Sequence, residues 1–178
     1  MRALRIHAGP LALQHLRDQG LRPSHVGVIP AAAGGPKGLI LGPMDRLLFG
    51  HWLRDAPQPI HLVGASIGAW RMGTACLNNP VSAFERLEHD YIHQHYELPA
   101  GQRRPSPDQI SRTFAANLES FYGGRVDEVL RHPRWRLHIV TSRGRHLLAR
   151  DGRWRTPLGY LGAFAANSVH RRALGQWL

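Results

Sequence analysis

Cysteine, lysine and long apolar runs are all scarce in this sequence of 178 residues. Cys76 is the single cysteine, so the chain can form no internal disulfide, and a reducing, cytoplasmic compartment is expected. No stretch approaches the roughly 20 apolar residues of a membrane-spanning helix. Residues 1–14 interrupt any apolar run with charge, glycine and proline, which argues against a signal peptide.

Acidic residues are few as well, with 12 against 23 basic ones, and the formal net charge is +11. Lys37 is the only lysine, so every other basic residue is an arginine. Such a charge favours peripheral contact with an anionic membrane surface, or a non-catalytic module that binds nucleic acid or anionic lipid. The arginines are spread along the chain instead of forming one block, so we do not expect nucleic acid as the partner. The oligomeric state stays open.

Strand-like and helix-like segments alternate along the chain. Strands are predicted at 24–29, 59–63 and 137–141, with 145–149 as a candidate antiparallel partner. Helices are predicted at 11–19, 39–53, 69–77 and 158–178, and after the capping residues Ser82 and Ser106. The alternation predicts an α/β fold, a three-layer α/β/α sandwich with a mostly parallel sheet. We expect one domain over 1–178 that continues beyond residue 178, because the last helix shows no terminating cap.

The segment Gly64-Ala65-Ser66-Ile67-Gly68 stands directly between a predicted strand and a predicted helix. A serine hydroxyl becomes an effective nucleophile where the backbone holds it clear of the fold, near a base and near donors for the oxyanion. A tight strand-to-helix turn does this, and Gly64 and Gly68 leave no side chains where the turn is crowded. Ser66 is therefore the predicted nucleophile, and the Ile67 NH a predicted oxyanion donor at the helix start. The alternative is an ordinary glycine-rich turn with an inert serine.

A second glycine-rich loop, residues 33–38, also follows a predicted strand. Its glycines can present successive backbone NH groups to an anion, although Pro36 has no NH to donate. Gly34 and Gly35 are therefore the predicted oxyanion donors, with Lys37 as electrostatic support beside Gly38. The loop differs from a phosphate-binding P-loop, because Lys37 is followed by glycine and not by serine or threonine.

Strand, glycine loop, strand and Gly-x-Ser-x-Gly elbow, in this order over 26–77, resemble the N-terminal portion of the patatin-like phospholipase family. The resemblance implies a serine esterase that hydrolyses acyl esters of lipids through a Ser-Asp dyad, with a lipid or another acyl ester as substrate. The family's loop has the form Asp-Gly-Gly-Gly-x-Arg-Gly. Here alanine occupies positions 32 and 33 and lysine occupies position 37, which indicates a divergent branch.

The family's aspartate lies in an Asp-Gly-Gly or Asp-Gly-Ala motif downstream of the serine. Asp151-Gly152 is the only Asp-Gly pair in this sequence, and Arg153 stands where the family has a small residue. Asp151 is therefore a candidate base, and the alternative is a plain turn residue. In that case the dyad aspartate is expected in sequence beyond this chain, and the chain by itself could be a truncated, inactive hydrolase.

The histidines offer two further alternatives. Glu85, His89 and His93 fall on one face of a predicted helix, but metal binding needs additional ligands, and a solvated polar face is the favoured interpretation. No metal and no other cofactor is predicted. Ser66, Asp151 and His170 could also form a triad in that chain order.

Overall fold

The computed structural model describes residues 6–95, 98, 101 and 104–173 of the chain. Its contacts divide the chain into two compact units, Met1–Ile139 and Val140–Leu178. In the described part of the chain, no helix is both long enough and apolar enough to cross a membrane.

Strands and helices alternate through the first unit, as the sequence predicts. In chain order they are α1 (Pro10–Gln19), β1 (Val28–Ala31), α2 (Gly42–Leu47), β2 (Ile60–Gly64), α3 (Ile67–Ala75), α4 (Pro80–Ile92), α5 (Pro107–Tyr122), α6 (Val126–Leu130) and β3 (Trp135–Ile139). Tight 3₁₀ turns cover Pro23–His25 and Gly35–Leu41, and α2 continues into the π-helical turn Leu48–Trp52. The three strands form a parallel sheet in the order β1-β2-β3. The predicted mixed α/β fold with a parallel sheet is therefore confirmed.

The parallel register brings the carboxyl ends of the strands to one edge of the sheet. Ala31 at the end of β1 pairs with Gly64 at the end of β2, and Gly64 pairs in turn with Ile139. The central strand β2 is the most buried, with the Ile60 and Leu62 side chains fully inaccessible to solvent. The loops that follow β1 and β2 therefore leave the sheet side by side.

Two apolar clusters form the core of this unit. The first includes Phe49, Phe84 and Trp135, whose ring centroids lie 5.8 Å (Phe49–Phe84) and 5.5 Å (Phe49–Trp135) apart. The second is built around Leu77, Ala83, Leu87 and Phe121. Burial of these side chains is the main source of stabilisation of the unit.

The predicted strand 24–29 is displaced in the structure. Its first part forms the turn Pro23–His25, and β1 begins only at Val28. Pro30, which directly follows the predicted range, lies inside β1; β1 is an edge strand, where the missing NH of proline is tolerated. The predicted helix 39–53 is also divided among a 3₁₀ turn, α2 and a π-helical turn.

The second unit contains a 3₁₀ turn at His146–Ala149, α7 (Arg155–Val169) and a 3₁₀ turn at Arg171–Ala173. The predicted antiparallel strand 145–149 is wrong. Leu148 instead packs closely against Gly159 of α7. A Cβ added to Gly159 would lie only 2.6 Å from the Leu148 Cδ2 atom. The predicted helix 158–178 starts three residues early and ends at Val169; residues 174–178 lie outside the described part of the chain.

Candidate active site

Ser66 has an unusual backbone conformation. Its φ of 53° and ψ of −125° fall in a region that residues with a side chain rarely adopt, at a cost of about 1–3 kcal/mol. Ser66 and His146 are the only non-glycine residues with positive φ among those described. Ser66 stands between the end of β2 and the first residue of α3, and it is exposed. The strand-turn-helix context predicted for the elbow is therefore confirmed.

The two glycines that flank Ser66 allow this turn to close. A Cβ on Gly64 would lie 2.6 Å from the Ala69 Cα, and one on Gly68 would overlap the carbonyl oxygen of Ala31. The Ala65 NH donates to that same Ala31 oxygen at 3.2 Å. Backbone therefore packs directly on backbone, and the elbow is fixed against the end of β1.

The glycine-rich loop leaves β1 beside the elbow. Gly35 adopts a left-handed φ of 56°. A Cβ on Gly38 would lie 2.9 Å from the Ile67 Cγ2, so the loop contacts the buried side chain that follows the serine. Among the described residues, no hydrogen bond occupies the backbone NH of Gly34, Gly35 or Ile67. These three donors remain available for an anion, as expected at a helix start.

Lys37 lies in the 3₁₀ turn of this loop, with an exposed side chain. It therefore adds positive charge to the loop, and its side chain is not buried in the core. Its ammonium group can support an anion bound nearby, in the secondary role that the sequence predicts for it.

A buried ion pair joins the helices behind the site. The Arg71 Nε and Nη2 atoms donate to the two carboxylate oxygens of Asp45 at 2.6 and 2.7 Å. Both side chains are almost completely buried, at 8% and 2% exposure. Asp45 lies on α2, which continues from the glycine loop, and Arg71 lies on α3, which begins after Ser66. The pair therefore links the helix that follows the glycine loop to the helix that follows Ser66.

The sequence reasoning missed this ion pair. One signal was available: Arg71 interrupts a helix of small and apolar residues, and a buried arginine almost always has a partner. The sequence could not identify Asp45 as that partner, because the two residues are 26 positions apart and meet only in the folded chain.

No described residue donates to or accepts from the Ser66 hydroxyl. Asp151, the candidate base, lies in the second unit and is exposed. Its carboxylate accepts hydrogen bonds from the Thr156 hydroxyl and from the Gly152 NH, the latter at 2.9 Å. These two contacts hold the pKa of Asp151 below its usual value. Asp151 thus stabilises the turn that leads into α7, as the alternative interpretation expects. His170, the third member of the possible triad, is exposed at the end of α7.

The histidine cluster lies on α4. His89 and His93 stack with their ring centroids 4.2 Å apart, and the His93 ring contacts the His89 carbonyl oxygen at 2.8 Å. Glu85 is exposed on the same helix. Within the described ranges, no group of three or more histidine, cysteine or acidic side chains has a geometry that could hold a metal ion.

Two groups behind the elbow have strongly perturbed acidities. Burial raises the pKa of the Cys76 thiol to about 12. It also raises the pKa of Tyr122 to about 12, and the Tyr122 hydroxyl donates to the Trp70 carbonyl oxygen at 3.3 Å. Both groups are therefore neutral at physiological pH and serve packing, whereas Ser66, the predicted nucleophile, is exposed.

No protein-family model, curated protein or solved structure matches this chain.

Proposed function

We propose that this protein is a serine acyl hydrolase, an esterase of patatin-like type with an α/β/α fold, in which Ser66 attacks the carbonyl carbon of an acyl ester. The observation that carries the proposal is the strained backbone of an exposed serine between a parallel strand and a helix. Strain of this kind persists where the surroundings enforce it, and it is concentrated at functional sites.

The chemistry would proceed in two steps. The Ser66 Oγ forms a bond to the carbonyl carbon and loses its proton, while the bond to the alcohol oxygen breaks and the alcohol leaves protonated. Water then attacks the acyl-serine, releasing the acid and restoring the hydroxyl. A general base has to carry the proton in both steps. The described residues leave that role unassigned.

The three available NH groups of Gly34, Gly35 and Ile67 support the same proposal. A carbonyl under attack develops negative charge on its oxygen, and preorganised backbone donors commonly stabilise that charge by several kcal/mol. Gly38 packs against the Ile67 side chain, so the loop that contains Gly34 and Gly35 contacts the elbow. A lipid or another acyl ester is the proposed substrate class.

A fluorophosphonate probe tests the proposal directly, because it phosphonylates activated serines. We expect labelling of the protein and hydrolysis of p-nitrophenyl acetate, with both lost in Ser66→Ala. Ser82→Ala is the matched control, since Ser82 is an exposed serine at the start of α4 outside any elbow. Equal labelling of the protein and of Ser66→Ala would refute the nucleophile.

Salt dependence separates this proposal from a basic binding module. Hydrolysis of a neutral ester should change little with ionic strength, whereas binding to phosphates weakens steeply as salt rises. The binding module would be favoured instead if the protein does not hydrolyse esters and binds anionic vesicles or nucleic acid in a salt-sensitive way.

A further inference from the structure

A groove of about 510 Å³ runs between α4 and α5 in the first unit. We call it the α4–α5 groove; its apolar lining is Trp70, Leu87, Phe114 and Phe121. Polar side chains, among them Arg86 and three histidines, line the rest. Small-molecule sites are typically clefts of roughly 300–1,000 Å³ with an apolar lining and a few polar groups, so both size and lining fit a ligand.

The α4–α5 groove begins beside the candidate nucleophile. Trp70 lies one helical turn after Ser66, and its NH donates to the Ser66 carbonyl oxygen at 3.2 Å. Tyr91, another lining residue, has its hydroxyl 4.0 Å from the position that a Cβ on Gly35 would occupy. Trp70 and Tyr91 therefore place the groove next to the elbow and the predicted oxyanion loop, although Ser66, Gly34 and Gly35 do not line it.

The walls of the groove are held in place by directed contacts. The Trp70 ring lies 6.5 Å from Phe114 and 6.1 Å from Phe121, measured between ring centroids. Arg86 of α4 donates to the Ser120 carbonyl oxygen of α5 at 2.9 Å and lies over the Phe121 ring. Such contacts preserve an open apolar groove that would otherwise collapse to bury its surface.

We propose that the α4–α5 groove binds the acyl chain of the ester that Ser66 attacks. This inference rests on the proposed hydrolase function. The acyl arm stays bound to the serine through the second step, so a subsite that includes Trp70, four residues after Ser66, suits that arm. The alcohol arm has to leave after the first step. Each methylene buried against the apolar lining should raise kcat/KM about fourfold until the groove is full.

Two series of ester substrates, assayed with the unsubstituted protein, test the proposal. For p-nitrophenyl esters, kcat/KM should rise steeply from acetate to octanoate. For a series of alkyl acetates with longer alcohols, it should stay nearly flat. Phe114→Ser should lower the preference for octanoate over acetate by about tenfold or more. Asn117→Trp, which fills the groove from an exposed lining position, should do the same.

Leu118→Ser is the matched control. Leu118 is an apolar residue of the same helix with similar exposure, 47% against 41% for Phe114, and it does not line the groove. Its chain-length preference should equal that of the unsubstituted protein. Equal effects of Phe114→Ser and Leu118→Ser, or a rate that follows the alcohol length instead, would overturn the acyl assignment.

A binding experiment keeps the groove testable if the protein proves inert toward esters. Ser66→Ala is titrated calorimetrically with octanoate and with acetate. Octanoate should bind saturably and at least about tenfold more tightly than acetate, and Phe114→Ser should abolish that difference. Absence of saturable octanoate binding rejects the subsite, whereas failure of fluorophosphonate labelling rejects the nucleophile.

Discussion

At the scale of single residues, Ser66 combines an exposed side chain with a strained backbone conformation. Its side chain is exposed although φ is positive, and the close backbone contacts at Gly64 and Gly68 prevent the turn from relaxing. A glycine at this position would adopt the same backbone angles without the clash of a Cβ.

Ser66→Gly should consequently be more stable than Ser66→Ala, by about 1 kcal/mol, because alanine keeps the strain and glycine releases it. Urea denaturation of the two variants measures the difference. Ser111 in the middle of α5 is the control position, since it is exposed and helical. There the order should reverse, with alanine more stable than glycine by about 1 kcal/mol. The same order at both positions would contradict backbone strain at Ser66.

At the scale of helices and strands, local sequence signals identified some elements and failed at others for physical reasons. Ser106 does cap α5, because its hydroxyl accepts the Gln109 NH at 3.2 Å. Ser82 does not cap α4. Asn79 takes that role, followed by Pro80 at the first helical position, where proline is favoured. The glycine spacing predicted the elbow because close backbone packing has few other solutions.

Tertiary contacts explain what the sequence did not reveal. Residues 145–149 carry adjacent leucines that fit a strand as well as a turn, and the packing of Leu148 on Gly159 decides between them. The α4–α5 groove depends likewise on how Phe114 and Trp70 approach from separate helices. The strand-turn-helix elbow around Ser66 could be predicted from local motifs, whereas the groove and the Asp45–Arg71 pair could not.

The Asp45–Arg71 pair yields the prediction at this scale. Asp45→Asn leaves the Arg71 guanidinium buried without a counter-charge, which should lower the free energy of unfolding by about 3–5 kcal/mol. The double variant Asp45→Leu with Arg71→Met removes both charges at similar volume and should recover most of that loss. Urea denaturation of the single and double variants measures both effects.

The exposed pair between Asp127 and Arg131 is the control for this measurement. Its nitrogen–oxygen distance is 3.4 Å and both side chains are at least 73% exposed. Asp127→Asn should therefore cost no more than about 1 kcal/mol. Comparable losses for the buried and the exposed pair would contradict the special role assigned to Asp45.

At the scale of the whole molecule, the core is distributed unevenly between the two units. Both apolar clusters consist of residues of the first unit, which also contains the complete three-stranded sheet. In the second unit, Gly159 and Ala163 are the buried residues of α7, while Leu158, Tyr160, Leu161 and Phe164 are exposed. Ser66, Gly34, Gly35 and Ile67 all belong to the first unit, so the proposed site has its own folded support there.

A chain that stops after Ile139 should accordingly unfold in one cooperative thermal transition and retain fluorophosphonate labelling of Ser66. A chain that stops after Arg125 should lose the transition, because it lacks β3 and with it the buried Trp135 that contacts Phe49. Asp151→Asn in the full chain completes the comparison, and it should label like the unsubstituted protein. Circular dichroism follows folding, and gel fluorescence follows labelling. A folded 1–139 chain that no longer reacts, or an Asp151→Asn chain that fails to react, would show that the nucleophile needs the second unit.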